Sequence, residues 1–118
     1  MAGCGEKIYE KTYHKPSQPI SCIRLQAKNL ITSYTLSKIY HFTNDKNCPF
    51  TLHADSHYVT SCTAAKAKAL GSDFDGYLRL SLYEKDHLLY RNQMDFKGAL
   101  RKEIAKKLFD RMRKAIGF

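Results

Sequence analysis

The sequence predicts one α+β domain, in which a small antiparallel or mixed β-sheet packs against two α-helices. Three stretches carry this prediction. Residues 76–83 alternate strictly between apolar and polar side chains, and residues 88–94 return after a turn, which is typical of a β-hairpin. Residues 98–116 repeat apolar side chains at spacings of three and four, which is typical of an amphipathic helix that closes a core. A chain of 118 residues is the size of one domain.

The first 19 residues are predicted to be a lipid-anchor segment and tether, and residues 20–118 to be the folded domain. Residues 5–19 combine charged side chains with Pro16 and Pro19 and show little apolar periodicity. Residues 20–25 are predicted to form a short strand, because apolar and β-branched side chains dominate them.

The stretch from residue 27 to 42 fits two structures. A helical stripe fits Leu30, Ile31, Tyr34, Ile39 and Tyr40, whereas the many Thr, Ser and Tyr residues suit a strand. We predict a helix here. It ends at a run of turn-forming residues between Thr43 and Pro49.

From Phe50 to Cys62 the apolar side chains recur with period two, which predicts an amphipathic strand or a hairpin about Asp55. His53 and His57 have the same parity and are expected on the solvent-facing side. Without a third ligand at a defined place, solvent-facing histidines explain them better than a metal site does.

The composition is basic, with 20 Lys and Arg residues against 11 Asp and Glu residues and a net charge of +9. This excess predicts an anionic partner such as nucleic acid, anionic lipid or lipopolysaccharide, although a generally basic proteome would also produce it. Six of the nine charges come from the last 22 residues. A basic amphipathic helix there can lie on a membrane, bind phosphate-rich ligands or simply solvate the outer face of a packed helix.

Four cysteines, Cys4, Cys22, Cys48 and Cys62, occur without a C-x-x-C pair or zinc-ligand spacing, so no zinc site is predicted. If Cys4 is acylated, the other three allow one disulfide, and we favour Cys48 with Cys62 among the three possible pairs. The motifs of hydrolases, P-loop proteins, dinucleotide-binding proteins and zinc proteases are absent from the sequence. We therefore predict a protein that is not an enzyme and needs no cofactor.

The chain begins Met-Ala-Gly-Cys-Gly, and the small residues Ala2 and Gly3 before Cys4 match the end of a bacterial lipoprotein signal. In such proteins the cysteine becomes the lipidated N-terminus. This interpretation predicts a lipid anchor at Cys4, and Gly5 in place of Asp predicts the periplasmic face of the outer membrane. A cytosolic protein that happens to begin with small residues is the alternative.

The lipoprotein-like start, the strand behind a tether, the alternating strand with its return and the closing basic helix together resemble the lipopolysaccharide-assembly lipoproteins of the LptE family. The resemblance extends from Ile20 to Ile116 in pattern. It implies a small α+β domain that sits inside an outer-membrane β-barrel partner and helps to deliver lipopolysaccharide to the outer leaflet.

Lipopolysaccharide carries phosphates, which Lys and Arg bind through charge-assisted hydrogen bonds. The residues predicted to contact it are on the hairpin and in the loop before it: Arg79, Lys85, Arg91, Lys66 and Lys68.

Two alternatives belong to other classes. A helix, three strands and a basic helix is also the order of a double-stranded-RNA-binding domain, in which Lys106 and Lys107 would reach phosphates. Residues 96–102 match the start of that family's last helix only loosely, so nucleic acid is the less favoured partner. An envelope lipoprotein with an unrelated role, such as adhesion, is the other alternative.

Overall fold

A computed structural model describes residues 8–58, 76–96 and 100–118. These form a five-stranded sheet with two helices on one of its faces. In chain order the elements are β1 (Ile8–Thr12), β2 (Arg24–Ala27), α1 (Leu30–Ser37), β3 (Phe50–Tyr58), β4 (Gly76–Glu84), β5 (His87–Phe96) and α2 (Lys102–Ile116). The predicted fold class, including the long C-terminal helix, is confirmed.

The strand order across the sheet is β1-β5-β4-β3-β2. All neighbours are antiparallel except β2 and β3, which are parallel and joined through α1. The sheet is therefore mixed. The predicted hairpin is its centre, and β1 and β2 are its edges.

The period-two pattern of the hairpin decides which side chains face the helices. Leu78, Leu80 and Leu82 on β4 are fully buried on the helix side, opposite Met94, Asn92 and Tyr90 of β5. The predicted turn between these strands is tight, and Lys85 adopts a left-handed conformation there with φ of 55°. β3 is one continuous strand, so the alternative hairpin about Asp55 is wrong.

The predicted apolar stripe of α2 is confirmed as the other half of the core. Ile104, Leu108, Phe109 and Met112 are buried against the sheet. Tyr40 and Phe42, which follow α1, pack their rings against Phe109 at centroid distances of 4.9 and 6.0 Å. Helix α2 thus packs against both the sheet and the chain segment that follows α1.

Helix α1 exists as predicted but is shorter, and its orientation differs from the expected one. Asn29 caps it by accepting hydrogen bonds from the amides of Ile31 and Thr32 at 2.8 and 3.4 Å. Its buried residues are Thr32, Thr35 and Leu36, whereas the predicted apolar stripe begins with residues that are exposed. The periodicity predicted the helix correctly and its core-facing side wrongly.

The predicted tether contains a strand, which is a correction to the expected start of the domain. β1 pairs with β5 over five residues, from Ile8 opposite Met94 to Thr12 opposite Tyr90. Farther along, Glu84 accepts hydrogen bonds from the backbone amide and hydroxyl of Ser17 and from Gln18. These bonds lower the pKa of Glu84 despite the opposing effect of desolvation. Residues 8–18 are therefore attached to the domain.

The disulfide joins Cys22 to Cys48, so the favoured pairing of Cys48 with Cys62 is wrong. Cys22 precedes β2 and Cys48 precedes β3, and the parallel alignment of those strands places the two Cα atoms 6.1 Å apart. Cys62 lies outside the described residues.

Candidate functional site

The sheet face opposite the helices carries polar, aromatic and basic side chains. Neither helix packs on this face, because both α1 and α2 bury their contacts on the other one. We call it the open face. Its side chains come from the odd-numbered positions of β1, β3 and β4 and, after the register shift near the start of β5, from Arg91, Gln93 and Asp95.

Two of the predicted contact residues, Arg79 and Arg91, lie on this face at the centre of the sheet. Arg79 pairs across the strands with Gln93 of β5 and Asp55 of β3. Arg91 pairs with Ser81 on one side and Lys11 on the other. Adjacent rows of the sheet therefore bring three cations together. They line one cavity of about 290 Å³, whose other lining residues are Tyr9, Glu10, Tyr13, Asn92 and Gln93.

The hydrogen bonds of the two arginines orient them without cancelling their charge. The Nε and Nη2 atoms of Arg79 donate to Gln93 Oε1 at 3.0 and 2.8 Å, and Arg91 Nε donates to Ser81 Oγ at 2.9 Å. Both acceptors are neutral. Within residues 8–58, 76–96 and 100–118, neither guanidinium forms an ion pair with a carboxylate. The two arginines therefore donate these hydrogen bonds to neutral acceptors, while the carboxylate residues nearest to the cavity are Asp55, opposite Arg79 in the sheet, and Glu10 in the lining.

Aromatic rings surround these cations. The Arg79 guanidinium lies over the Tyr77 ring at 5.3 Å, and Lys11 Nζ lies 4.9 Å from the centre of the Tyr13 ring. The predicted solvent-facing histidines also belong to this face. His57 stacks on Tyr77, and His53 packs against Tyr83; the ring centroids are 5.6 and 4.7 Å apart, respectively.

The remaining predicted contact residues are elsewhere. Lys85 is at the β4–β5 turn and lines a separate cavity with His14, Ser17 and His87, so it does not join the two arginines. Lys66, Lys68 and the predicted anchor Cys4 lie outside the described residues.

The sequence interpretation missed Lys11, Tyr9 and Tyr13, because it assigned them to a tether. A signal for them exists, since Ile8, Tyr9, Thr12 and Tyr13 are residue types enriched in strands. Two prolines shortly afterwards and the many charges concealed this short strand.

The cations of α2 are in a different electrostatic situation. Lys106 forms an ion pair with Asp110, and Arg111 forms one with Glu10 of β1, both at 2.7 Å. Arg113 Nε donates to the backbone oxygen of Phe118 at 3.1 Å. Three cations of the basic helix are thus engaged within the domain, and only Arg111 among them connects α2 to the sheet.

No group of three or more metal-ligating side chains is present in the described parts of the chain. None of the helices described has the length and apolar character needed to cross a bilayer.

Comparisons of the chain with protein-family models, curated proteins and solved structures find no match.

Proposed function

We propose that this protein is a lipid-anchored envelope protein that binds the phosphorylated part of lipopolysaccharide on the open face of its sheet. The observation that carries the proposal is the cavity in which Lys11, Arg79 and Arg91 converge with neutral hydrogen-bond partners. Fixed guanidinium groups bind phosphate oxygens through charge-assisted, often bidentate hydrogen bonds. Three cations at one cavity match a ligand with clustered phosphates.

The tyrosines of the cavity favour a glycolipid over a bare phosphate ion. Tyr9 and Tyr13 are both exposed and flank the cations. A tyrosine presents an apolar ring and a polar hydroxyl, which suits sugar rings that carry both C–H and O–H groups. A phosphorylated sugar would therefore use both kinds of side chain at this site.

The rest of the proposal concerns the setting. Cys4 would carry the lipid anchor and hold the domain at the periplasmic face of the outer membrane. An outer-membrane β-barrel would be the partner that receives the lipopolysaccharide. No step of this function requires a cofactor or an enzymatic reaction.

The test is the double variant Arg79→Glu/Arg91→Glu, titrated with purified lipopolysaccharide. Each charge-assisted hydrogen bond contributes about 1.5–3 kcal/mol, so the double variant should bind about 100-fold more weakly or worse. Binding of the wild-type protein should also weaken as ionic strength rises, because salt screens exposed charges. Thermal unfolding of the variant checks that the domain remains folded.

A matched control is the double variant Lys15→Glu/Lys46→Glu, at two exposed lysines that are not among the predicted contact residues. It changes the net charge by the same amount, but both residues lie outside the cavity. It should retain lipopolysaccharide binding. Equal losses in the two double variants would mean that net charge alone attracts the ligand, which would contradict the proposed site.

A nucleic-acid-binding module is the second candidate, since the run from α1 through β3, β4 and β5 to α2 has the helix, three-strand, helix order of a double-stranded-RNA-binding domain. The ion pairs of Lys106 and Arg111 within the domain make α2 a weaker phosphate-binding surface than the open face. A parallel titration with duplex RNA separates the two functions. Tight, salt-sensitive binding to the duplex without affinity for lipopolysaccharide would favour this second candidate.

A further inference from the structure

Helix α1 exposes apolar side chains and buries polar ones. Leu30, Ile31 and Tyr34 are 86%, 58% and 65% exposed. The buried side holds Thr32, whose hydroxyl lies 2.6 Å from that of Ser56, and Thr35, whose hydroxyl donates to the Ile31 carbonyl at 2.7 Å. The buried threonine hydroxyls of the helix thus form hydrogen bonds, and its large apolar side chains face outward.

These exposed side chains lie at one end of the sheet, which we call the Ile8 end. Ile8 pairs with Met94 near the end of β5. Gly76 pairs with Phe96 and Tyr58 at the same end of the sheet. The hydrogen bond between Thr32 and Ser56, two residues before the end of β3, places the first turn of α1 there.

Helix α2 also begins at the Ile8 end. Its backbone at Leu108 accepts a hydrogen bond from Asn92, and its last residues line a cavity with Thr12 and Lys15 at the opposite end of β1. The helix therefore runs from the Ile8 end towards the far end. Its first residues, Arg101 and Lys102, are exposed.

The charges around the apolar side chains are mainly positive. Helix α1 itself contains no charged residue, and Lys28 is exposed just before it. Arg101 and Lys102 add two cations at the same end, against Glu103. Lys38 Nζ, one turn after Tyr34, lies 4.2 Å from the centre of the tyrosine ring. An apolar patch with a cationic border complements an anionic bilayer surface.

We propose that Leu30, Ile31 and Tyr34 insert into the interface of an anionic phospholipid bilayer and orient the domain with its Ile8 end towards the membrane. The short sequence distance between Cys4 and Ile8 supports this occupant. Cys4 precedes Ile8 by four residues, which span at most about 14 Å of extended chain. The anchor belongs to the proposed function, and the patch would then be a second contact with the same membrane.

The test uses the absence of tryptophan from the sequence. Leu30→Trp, in the full chain carrying Cys4→Ser, places a fluorescent reporter in the patch. Its emission should shift to the blue with vesicles of phosphatidylethanolamine and phosphatidylglycerol, and much less with phosphatidylcholine vesicles. His87→Trp, at the exposed β4–β5 turn of the far end, is the matched control and should not shift.

Adding Ile31→Gln and Tyr34→Gln to the reporter chain should weaken vesicle binding about tenfold or more, because two apolar side chains no longer enter the bilayer. No shift with anionic vesicles, or equal shifts in both reporters, would overturn the proposal. If the tryptophan emission of dilute protein is already blue-shifted without lipid, another segment of the chain covers the patch. If the blue shift without lipid grows with protein concentration, a second copy of the protein covers the patch. Either result overturns the proposal.

The outcome is separable from that of the lipopolysaccharide site. Arg79→Glu/Arg91→Glu in the reporter chain should keep the vesicle-induced shift, since those residues lie on the open face. If vesicles cause no emission shift but the arginine substitutions still abolish lipopolysaccharide binding, only the membrane patch is overturned. If vesicles cause the shift but the arginine substitutions leave lipopolysaccharide binding unchanged, only the proposed function is overturned.

Discussion

Glu10 connects the first strand of the sheet to the last helix. Its Oε1 accepts a hydrogen bond from the Tyr90 hydroxyl at 2.8 Å, and its Oε2 accepts one from Arg111 Nε at 2.7 Å. Desolvation raises the pKa of Glu10, but the two hydrogen bonds and the nearby charges of Arg111 and Lys114 together outweigh it, so the pKa lies below 4.5. Burial and the Glu10 carboxylate raise the pKa of Tyr90, which stays protonated as the donor.

This arrangement makes the free energy of unfolding depend on pH in the acidic range. Between the lowered pKa of Glu10 and 4.5, the unfolded chain binds a proton that the folded chain does not. The contribution of Glu10 to stability is therefore present above that range and is lost as pH falls through the lowered pKa. Glu10→Gln should weaken this loss, as measured by urea unfolding from pH 7 downward. Glu84 has a lowered pKa as well and should account for a remaining slope.

Tyr90→Phe is the companion variant, because it removes the hydroxyl and leaves the ring in the core. The loss of a hydrogen bond to a charged group should cost about 1.5–3 kcal/mol at pH 7. If Glu10→Gln keeps the acid dependence of the wild-type protein in full, Glu10 does not have the proposed effect.

Among the elements, β2 is held most weakly by the sheet itself. It is an edge strand of four residues, and it pairs with β3 alone. The Cys22–Cys48 disulfide supplements this short pairing by connecting the segments that enter β2 and β3. It closes a loop that contains α1 and therefore restrains the crossover between the two parallel strands.

Removing the disulfide should destabilise the domain through the unfolded state. The bridged residues are 26 positions apart, and closing a loop of this length contributes about 2–4 kcal/mol. Cys22→Ser/Cys48→Ser should lower the free energy of urea unfolding by that amount. Cys62→Ser is the control, and it should change stability little. A large effect of Cys62→Ser, with a Cys48–Cys62 peptide in the non-reduced digest, would contradict the observed pairing.

For the whole molecule, the distribution of positive charge matters more than its sum. Ion pairs within the domain engage part of the charge of α2, whereas Arg79 and Arg91 on the open face donate their hydrogen bonds to neutral acceptors. The apolar side chains of α1 lie at the Ile8 end, next to the start of β1. The molecule thus has a candidate ligand face and a candidate membrane end on different sides.

The lipid anchor is testable on the whole protein. Produced in an enterobacterial host behind a lipoprotein signal that ends at Cys4, the protein should gain the mass of acyl chains and enter the detergent phase. It should fractionate with the outer membrane. Cys4→Ser should yield an unmodified, soluble protein. Unmodified wild-type protein in the cytosol of the same host would rule out the anchor.

Local patterns were sufficient for the hairpin and for α2. Alternation over residues 76–94 and the three-four spacing of the last helix are properties of neighbouring residues, so no knowledge of the tertiary structure was needed to predict them. The same alternation placed Arg79 and Arg91 on one side of the hairpin. The net charge of +9 predicts an anionic partner, and this stays a prediction.

Strand neighbours, the disulfide and the orientation of α1 were decided by the tertiary structure. β1 is short and polar, and it becomes a strand by pairing with β5, about 80 residues away in the sequence. The three cysteines allowed several pairs until the parallel alignment of β2 and β3 selected one of them. Ser56 on β3 gave the buried side of α1 a polar partner. Periodicity tells which side a residue faces but not which strand or helix lies beside it, so only the folded sheet brings Lys11 to Arg79 and Arg91.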